Sequence, residues 1–186
     1  SARGFSDSLK SFGIERVVTA DIAKAKQTQT TQRFKIHLLT SSGEDLFTKI
    51  EFSRRGMKGS ALVEPVNIQI LRFYKAAPLL VSHYNAASAI AQKIQALALR
   101  SVLQARDIFD LFVLSPQYEV SEQKNMELDK TIVKTARDHI FLVEFPQFRD
   151  TVVAYLGLED QKAYSSPGVW DEIKLKTIHF LEEFPK

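Results

Sequence analysis

The sequence predicts an α+β fold, in which a small antiparallel sheet comes first and an α-helical lobe follows. Before Tyr84, several segments alternate apolar and polar residues with a period of two, which is typical of half-buried strands. After Tyr84, apolar residues recur at helical spacing, and residues that favour helices are frequent. We therefore expect two domains, which comprise residues 1–84 and 85–186.

A β-hairpin is the clearest prediction in the first half. Segment 33–40 (RFKIHLLT) alternates apolar residues with basic ones, and segment 45–55 alternates in a similar way. The loop between them, SSGED, contains Gly43, which can adopt the positive φ that such loops often need. Two strands joined by a short, glycine-containing loop predict an antiparallel pair.

Three further elements are predicted before Tyr84. Segment 5–18 is expected to form a short helix closed by Gly13. Segment 64–73 carries an apolar run that predicts a third strand. Pro78 interrupts any helix at that point, and segment 79–84 (LLVSHY) predicts another short strand.

The second half is predicted to be helical. Asn85 is a suitable N-cap for a helix, because its side-chain oxygen can accept a hydrogen bond from the first turn. The predicted helices cover residues 86–103, 104–114, 122–145, 146–157 and 168–184. The sequence SSPG at 165–168 predicts a linker before the last helix, which Trp170 is expected to anchor.

The composition excludes several classes of function. The chain has no cysteine, so it has no disulfide, thiolate zinc site or cysteine nucleophile. Its formal net charge of +3 is too small to indicate a nucleic-acid-binding surface by itself. No apolar run approaches the roughly 20 residues that span a bilayer. We therefore expect a cytoplasmic protein without a membrane segment. The sequence starts with the polar segment SARGFSDSLK and has no initiator methionine, so we expect it to be a fragment.

Five charged residues lie within the apolar segment 91–114 (AQKIQALALRSVLQARDIFDLFVL). They are Lys93, Arg100, Arg106, Asp107 and Asp110. On a helix, residues seven apart share a face, and residues three or four apart are neighbours. Two interpretations stay open: Arg106 and Asp110 form an ordinary i,i+4 pair while the other cations are solvated, or the charges converge on a charged ligand.

The segment also resembles a known family. Lys93 in AQKIQAL, Arg100 and the string ARDIFDL are similar to the C-terminal motifs of the AbiEii-type nucleotidyltransferase toxins. These are the bacterial toxins of abortive-infection (type IV) toxin–antitoxin systems, related to the MenT toxins. The hairpin that ends in IEFSRR, the segment around EPVNIQIL and the helical tail follow the order of that family, so the resemblance covers most of the chain.

The resemblance implies a bilobed enzyme similar to DNA polymerase β, which transfers NMP from an NTP to an acceptor such as tRNA with the help of Mg²⁺. It implies that Lys93 binds the triphosphate and that Arg100 and Arg106 orient it. Asp107 would be the catalytic carboxylate or base of the helical lobe, although Asp110 fits that role equally well. A cognate antitoxin protein is the partner that the family implies.

One departure from the family limits these expectations. Its first motifs are a Gly-Gly segment and a strand with the pattern R-x-S-x-D-L-D-F, and no D-x-D occurs in this sequence. We therefore expect the chain to correspond to the C-terminal two-thirds of the family and to be inactive alone, because no carboxylate pair holds the metal. The alternative is a non-catalytic interaction module, or truncated remnant of the fold, that binds a partner protein.

Overall fold

A computed structural model describes residues 9–10, 13–21, 25–54, 59–118 and 128–183. The predicted α+β class is confirmed, because two small antiparallel sheets precede a series of helices. The strands are β1 (Ile14–Asp21), β2 (Thr31–Thr40), β3 (Asp45–Ser53), β4 (Ala61–Pro65) and β5 (Leu80–Tyr84). The α-helices are α1 (Ile68–Phe73), α2 (Ala86–Leu99), α3 (Ala105–Leu114), α4 (Lys130–Ile140), α5 (Phe145–Thr151), α6 (Leu158–Tyr164) and α7 (Pro167–Glu183). None of the helices in these ranges is long and apolar enough to cross a membrane.

The contacts divide the chain into two units. The strand unit comprises residues 1–58 and 63–81, and the helical unit comprises residues 59–62 and 82–186. The chain first passes from the strand unit to the helical unit before β4, returns to the strand unit within β4, and enters the helical unit again within β5. That the first unit is the nucleotidyltransferase lobe and the second its helical partner stays a prediction.

The strand unit is built on a three-stranded sheet with the order β1-β2-β3. The predicted hairpin is confirmed: β2 and β3 are antiparallel, with Phe34 opposite Ile50 and Leu38 opposite Leu46. This register puts the apolar residues of both strands on one face, as their alternation requires. Gly43 turns the chain with a φ of +84°.

Two predictions in this unit were wrong. The helix predicted over 5–18 is contradicted at 14–18, where β1 pairs with β2, and part of the segment lies outside the described residues. The third strand predicted over 64–73 ends at Pro65, and α1 follows. The Asn67 side chain accepts a hydrogen bond from the Gln69 amide at 2.8 Å and so begins that helix. The strand predicted over 79–84 is confirmed as β5, which forms a two-stranded sheet with β4.

The helical unit contains the main hydrophobic core. Apolar residues from α2, α3, α4, α5 and α7 meet there, and the most deeply buried include Ile90, Ile94, Leu97, Ile108, Leu111, Ile140, Phe148 and Ile173. Trp170 stacks on Phe148 with ring centroids 4.2 Å apart, and its Nε1 donates to the Val143 carbonyl at 3.0 Å. Trp170 therefore anchors α7 against the α5 region, as the sequence predicted.

Several helix ends differ from the prediction. The Asn85 cap is confirmed, since its side chain accepts from the Ser88 amide at 2.9 Å, but α2 ends at Leu99 rather than at 103. The helix predicted over 122–145 is present in part as α4, which ends at Ile140 rather than at 145, and residues 119–127 lie outside the described ranges. The helix predicted over 146–157 is shorter, because a 3₁₀ turn replaces its last part. Helix α6 was not predicted, since its sequence LEDQKAY is mostly polar.

Candidate functional site

Helices α2 and α3 bring the charged residues of segment 91–114 together. Helix α2 buries Ile90, Ile94 and Leu97, and α3 buries Ile108 and Leu111, so the two helices pack through adjacent apolar faces. Apolar spacing of three and four residues on each helix produces these faces. The charged side chains at their border are consequently held close to the core.

Asp107 lies at the centre of the charged cluster and is fully buried. Lys93 Nζ lies 3.3 Å from its Oδ1, and Arg100 Nε lies 3.1 Å from its Oδ2. Lys93 Nζ also lies 2.5 Å from Asp110 Oδ2. Within the described part of the chain Asp107 Oδ2 accepts no hydrogen bond, so its contact with Arg100 is an ion pair without good donor alignment.

Arg100 reaches Asp107 because the chain leaves the helical conformation at this residue. Arg100 is the C-cap of α2 and has an extended backbone, with φ −73° and ψ 138°. Two side chains from later elements hold the segment that follows α2: His139 Nδ1 donates to the Leu97 carbonyl at 2.8 Å, and Gln147 Nε2 donates to the Leu103 carbonyl at 2.6 Å. The Leu97 carbonyl, in the last turn of α2, would otherwise lack a partner at the helix end, whereas the Leu103 carbonyl lies in the segment between α2 and α3.

No local pattern in the sequence points to His139 and Gln147. They lie 42 and 44 residues after the carbonyls that they bind, and neither belongs to a recognisable motif. Their positioning role depends on how α4 and α5 pack on the end of α2. Only the three-dimensional structure brings them to this place.

Of the two interpretations left open by the sequence, the ordinary i,i+4 pair is contradicted. Asp110 pairs with Lys93, and Arg106 is exposed and forms no ion pair with any residue that the structure describes. Lys93 and Arg100 are not simply solvated, because both contact Asp107. Four of the five charges are therefore gathered in one cluster, which we call the Asp107 cluster (Lys93, Arg100, Asp107 and Asp110).

The exposure of its members decides what the Asp107 cluster can do. The side chains of Lys93, Arg100 and Asp110 are 30%, 38% and 39% exposed, whereas that of Asp107 is 0% exposed. Asp107 therefore holds the two cations in place, and the cations keep surface for an anionic group. Of the two carboxylates, Asp110 is the one with surface to meet a ligand.

The described residues do not fit a metal site. No group of three or more histidine, aspartate or glutamate side chains lies close enough among them to hold a metal ion. The two carboxylates of the Asp107 cluster are already paired with cations, and Asp107 has no exposed surface. We therefore assign no Mg²⁺ ligand to these residues.

A groove lies beside the cluster, between α3 and the region from α5 to the following 3₁₀ turn. It encloses about 570 Å³ and is lined by Arg106, Phe109, Asp110, Asp150, Thr151, Val152, Tyr155 and Leu156. We call it the α3–α5 groove. Asp150 accepts hydrogen bonds from its neighbour Arg149, which hold the pKa of that carboxyl below its usual range and keep it charged.

The α+β architecture, with lysine, arginine and aspartate side chains gathered on two consecutive helices, is consistent with the nucleotidyltransferase-like fold that the resemblance implies. The family described as "Nucleotidyl transferase AbiEii toxin, Type IV TA system" matches residues 2–167. The chain belongs to this family, as its resemblance to the AbiEii motifs predicted. It is thus a nucleotidyltransferase of the toxin–antitoxin type. No curated protein and no solved structure matches the chain.

Proposed function

We propose that the protein transfers NMP from an NTP to an acceptor RNA such as tRNA, and that the Asp107 cluster contacts the triphosphate. The observation that carries the proposal is the arrangement around Asp107: a fully buried carboxylate contacts two cations that are each about a third exposed. A buried charge is costly unless it is paired. Here the cost is offset by ion pairs that also fix the position of both cations.

Lys93 and Arg100 would contact the triphosphate in different ways. The Lys93 ammonium acts as a point charge with three donors, whereas the planar Arg100 guanidinium has five. Arg100 contacts Asp107 through Nε, which leaves donors on its two terminal nitrogens for phosphate oxygens. Positioned cations that face the charge developing on a leaving pyrophosphate stabilise the transition state.

We assign different roles to the two carboxylates. Asp107 is a positioning residue, because a side chain with no exposed surface does not reach a substrate. Asp110 is the exposed carboxylate and is the group that would accept a proton from an acceptor hydroxyl or orient Lys93 towards the phosphates. Mg²⁺ is the metal expected of this chemistry.

The biological setting follows from the family. A type IV toxin is paired with a cognate antitoxin, so we propose such a protein as partner. We further propose that the protein acts in the bacterial cytoplasm, where NTPs and tRNA are present.

A transfer assay with radiolabelled NTP tests the proposal. The 186-residue chain and the product of the complete gene are incubated with Mg²⁺, bulk tRNA and each NTP in turn. We expect Lys93→Ala to reduce transfer by the gene product by about 100-fold, as removal of one transition-state donor does. Lys176→Ala is the matched control, since Lys176 is an exposed lysine on α7 that pairs with Glu172.

Three outcomes separate the alternatives. Loss of transfer in Lys93→Ala and Asp107→Asn, with normal transfer in the control, supports the proposal. Undiminished transfer in both variants rejects the residue assignment. If the chain and the gene product both bind a partner protein but transfer no nucleotide, the result favours the non-catalytic interaction module.

A further inference from the structure

The α3–α5 groove has the chemistry of a site for a flat aromatic ring with polar edges. Phe109, Val152 and Leu156 give it an apolar floor. Phe109 is held there by the Phe148 ring, whose centroid is 5.7 Å away. The Tyr155 ring lines the groove and is 83% exposed, so most of its surface is free to contact a ligand.

The rim of the groove supplies hydrogen-bonding groups. Arg106 contributes donors, and Asp110 and Asp150 contribute acceptors. Each carboxylate has a cationic partner, Lys93 or Arg149. An ionised carboxylate has about four acceptor positions on its two oxygens, so each keeps acceptors for a second partner.

The position of the groove connects it with the Asp107 cluster. Asp110 belongs to both, because it contacts Lys93 and also lines the groove. A ligand with phosphates at the cluster can therefore place an adjoining ring system in the groove.

We propose that the α3–α5 groove binds the nucleobase of the NTP, that Tyr155 stacks on the base, and that Asp150 accepts a hydrogen bond from an exocyclic amino group. This inference rests on the proposed function, because it places the triphosphate at Lys93 and Arg100. It adds a specificity that the cluster alone does not have. Adenine, cytosine and guanine carry an exocyclic amino group and uracil does not, so UTP is the disfavoured substrate.

Calorimetric binding to the full 186-residue chain tests the inference. The probes are ATP, CTP, GTP, UTP and inorganic tripolyphosphate, which has the phosphates but no base. We expect Tyr155→Ala to weaken binding of ATP, CTP and GTP by about tenfold, the effect typical of a lost base–aromatic stack. Binding of tripolyphosphate should not change, and Tyr155→Phe should retain the wild-type affinities.

Two further variants separate this inference from the proposed function. Lys93→Ala should weaken NTP and tripolyphosphate alike, since it removes a contact to phosphate. Phe141→Ala is the control for Tyr155→Ala, because Phe141 is also an aromatic residue of the helical unit and is 60% exposed, but it does not line the groove. Circular dichroism verifies that each variant keeps its fold.

The outcomes are distinct. If tripolyphosphate does not bind, or binds equally well to Lys93→Ala, the proposed function fails. If tripolyphosphate binds through Lys93 but Tyr155→Ala does not weaken any NTP, the groove is not the base site and this inference alone is overturned. Equal affinities for UTP and the other three NTPs would overturn the role of Asp150 in recognising the base.

Discussion

Replacing Asp107 by asparagine tests the role of the buried carboxylate most directly. Asparagine has nearly the same shape but no charge, so the change removes the ion pairs with Lys93 and Arg100 without creating a cavity. Each contact, at 3.1 to 3.3 Å, corresponds to about 5 kcal/mol of Coulomb attraction at an effective dielectric constant of about 20. Desolvation of the carboxylate offsets several kcal/mol of that attraction.

The exposure of the cations sets the expected size of the effect. Removing one partner of a fully buried ion pair costs about 3–5 kcal/mol, because the other charge stays buried without compensation. Lys93 and Arg100 are 30% and 38% exposed, so water rehydrates them when the carboxylate charge is lost. We therefore expect Asp107→Asn to lower the free energy of unfolding by about 2–3 kcal/mol, which corresponds to a decrease of about 4–12 °C in Tm.

Urea unfolding followed by far-UV circular dichroism measures this effect. The matched control is Asp110→Asn on the same helix, where the carboxylate is 39% exposed and its loss should cost at most about 1 kcal/mol. Equal m values in all three proteins would show that the same surface is exposed on unfolding. If Asp107→Asn lowers the free energy of unfolding no more than Asp110→Asn does, the reasoning that burial makes the Asp107 charge important for stability is refuted.

Two other predictions concern a glycine and a helix cap. Gly59 has a φ of +111°, and a Cβ added to it would lie 2.5 Å from Ser88 Oγ on α2. Gly59→Ala should therefore lower the free energy of unfolding by about 1–3 kcal/mol. The control Gly168→Ala, in the first turn of α7, should raise it by about 0.5–1 kcal/mol. Urea unfolding in which Gly59→Ala is the more stable of the two variants would contradict this prediction. The Asp129 side chain accepts a hydrogen bond from the Thr131 amide, which lowers the pKa of Asp129 in the folded state. Its contribution to stability is thus complete above the unfolded pKa of about 3.9 and is lost as the pH falls through the lower folded pKa. The difference in unfolding free energy between the wild type and Asp129→Ala should shrink over that acidic range, and a difference independent of pH would contradict the assignment.

Local patterns predicted the elements whose signals lie within a few residues. The β2–β3 hairpin was predictable because alternation and the turn residue Gly43 both point to it. Helix α1 was missed because a short apolar run such as IQILRF does not distinguish a helix from a strand by periodicity. The capping residue Asn67 was the overlooked signal.

The end of α2 shows where local propensity fails. The residues around Arg100 do not themselves stop a helix, and the sequence predicted continuation to residue 103. In the structure the chain turns at Arg100, whose side chain pairs with buried Asp107. Contacts from distant elements to the Leu97 and Leu103 carbonyls stabilise the turn. Tertiary interactions of this kind override propensity and are not encoded within any short window.

Four of the five charged residues that the sequence singled out meet in the Asp107 cluster, but their pairing was not predicted, and their functional roles stay a prediction. Spacing on one helix pairs Arg106 with Asp110, whereas the structure pairs Asp110 with Lys93 on the preceding helix. That contact depends on how α2 packs against α3. The α3–α5 groove was not predicted at all, because its Asp150 and Tyr155 lie more than forty residues after Arg106 in the sequence.

The stacking of Trp170 on Phe148 has a consequence for experiments. Trp170 is the single tryptophan of the chain and is almost completely buried in the helical unit. Intrinsic fluorescence excited at the indole absorption band therefore reports on the helical unit alone, while the strand unit contributes no tryptophan emission. Comparing this signal with the circular dichroism of the whole chain during denaturation would show whether the two units unfold in one cooperative transition or in two.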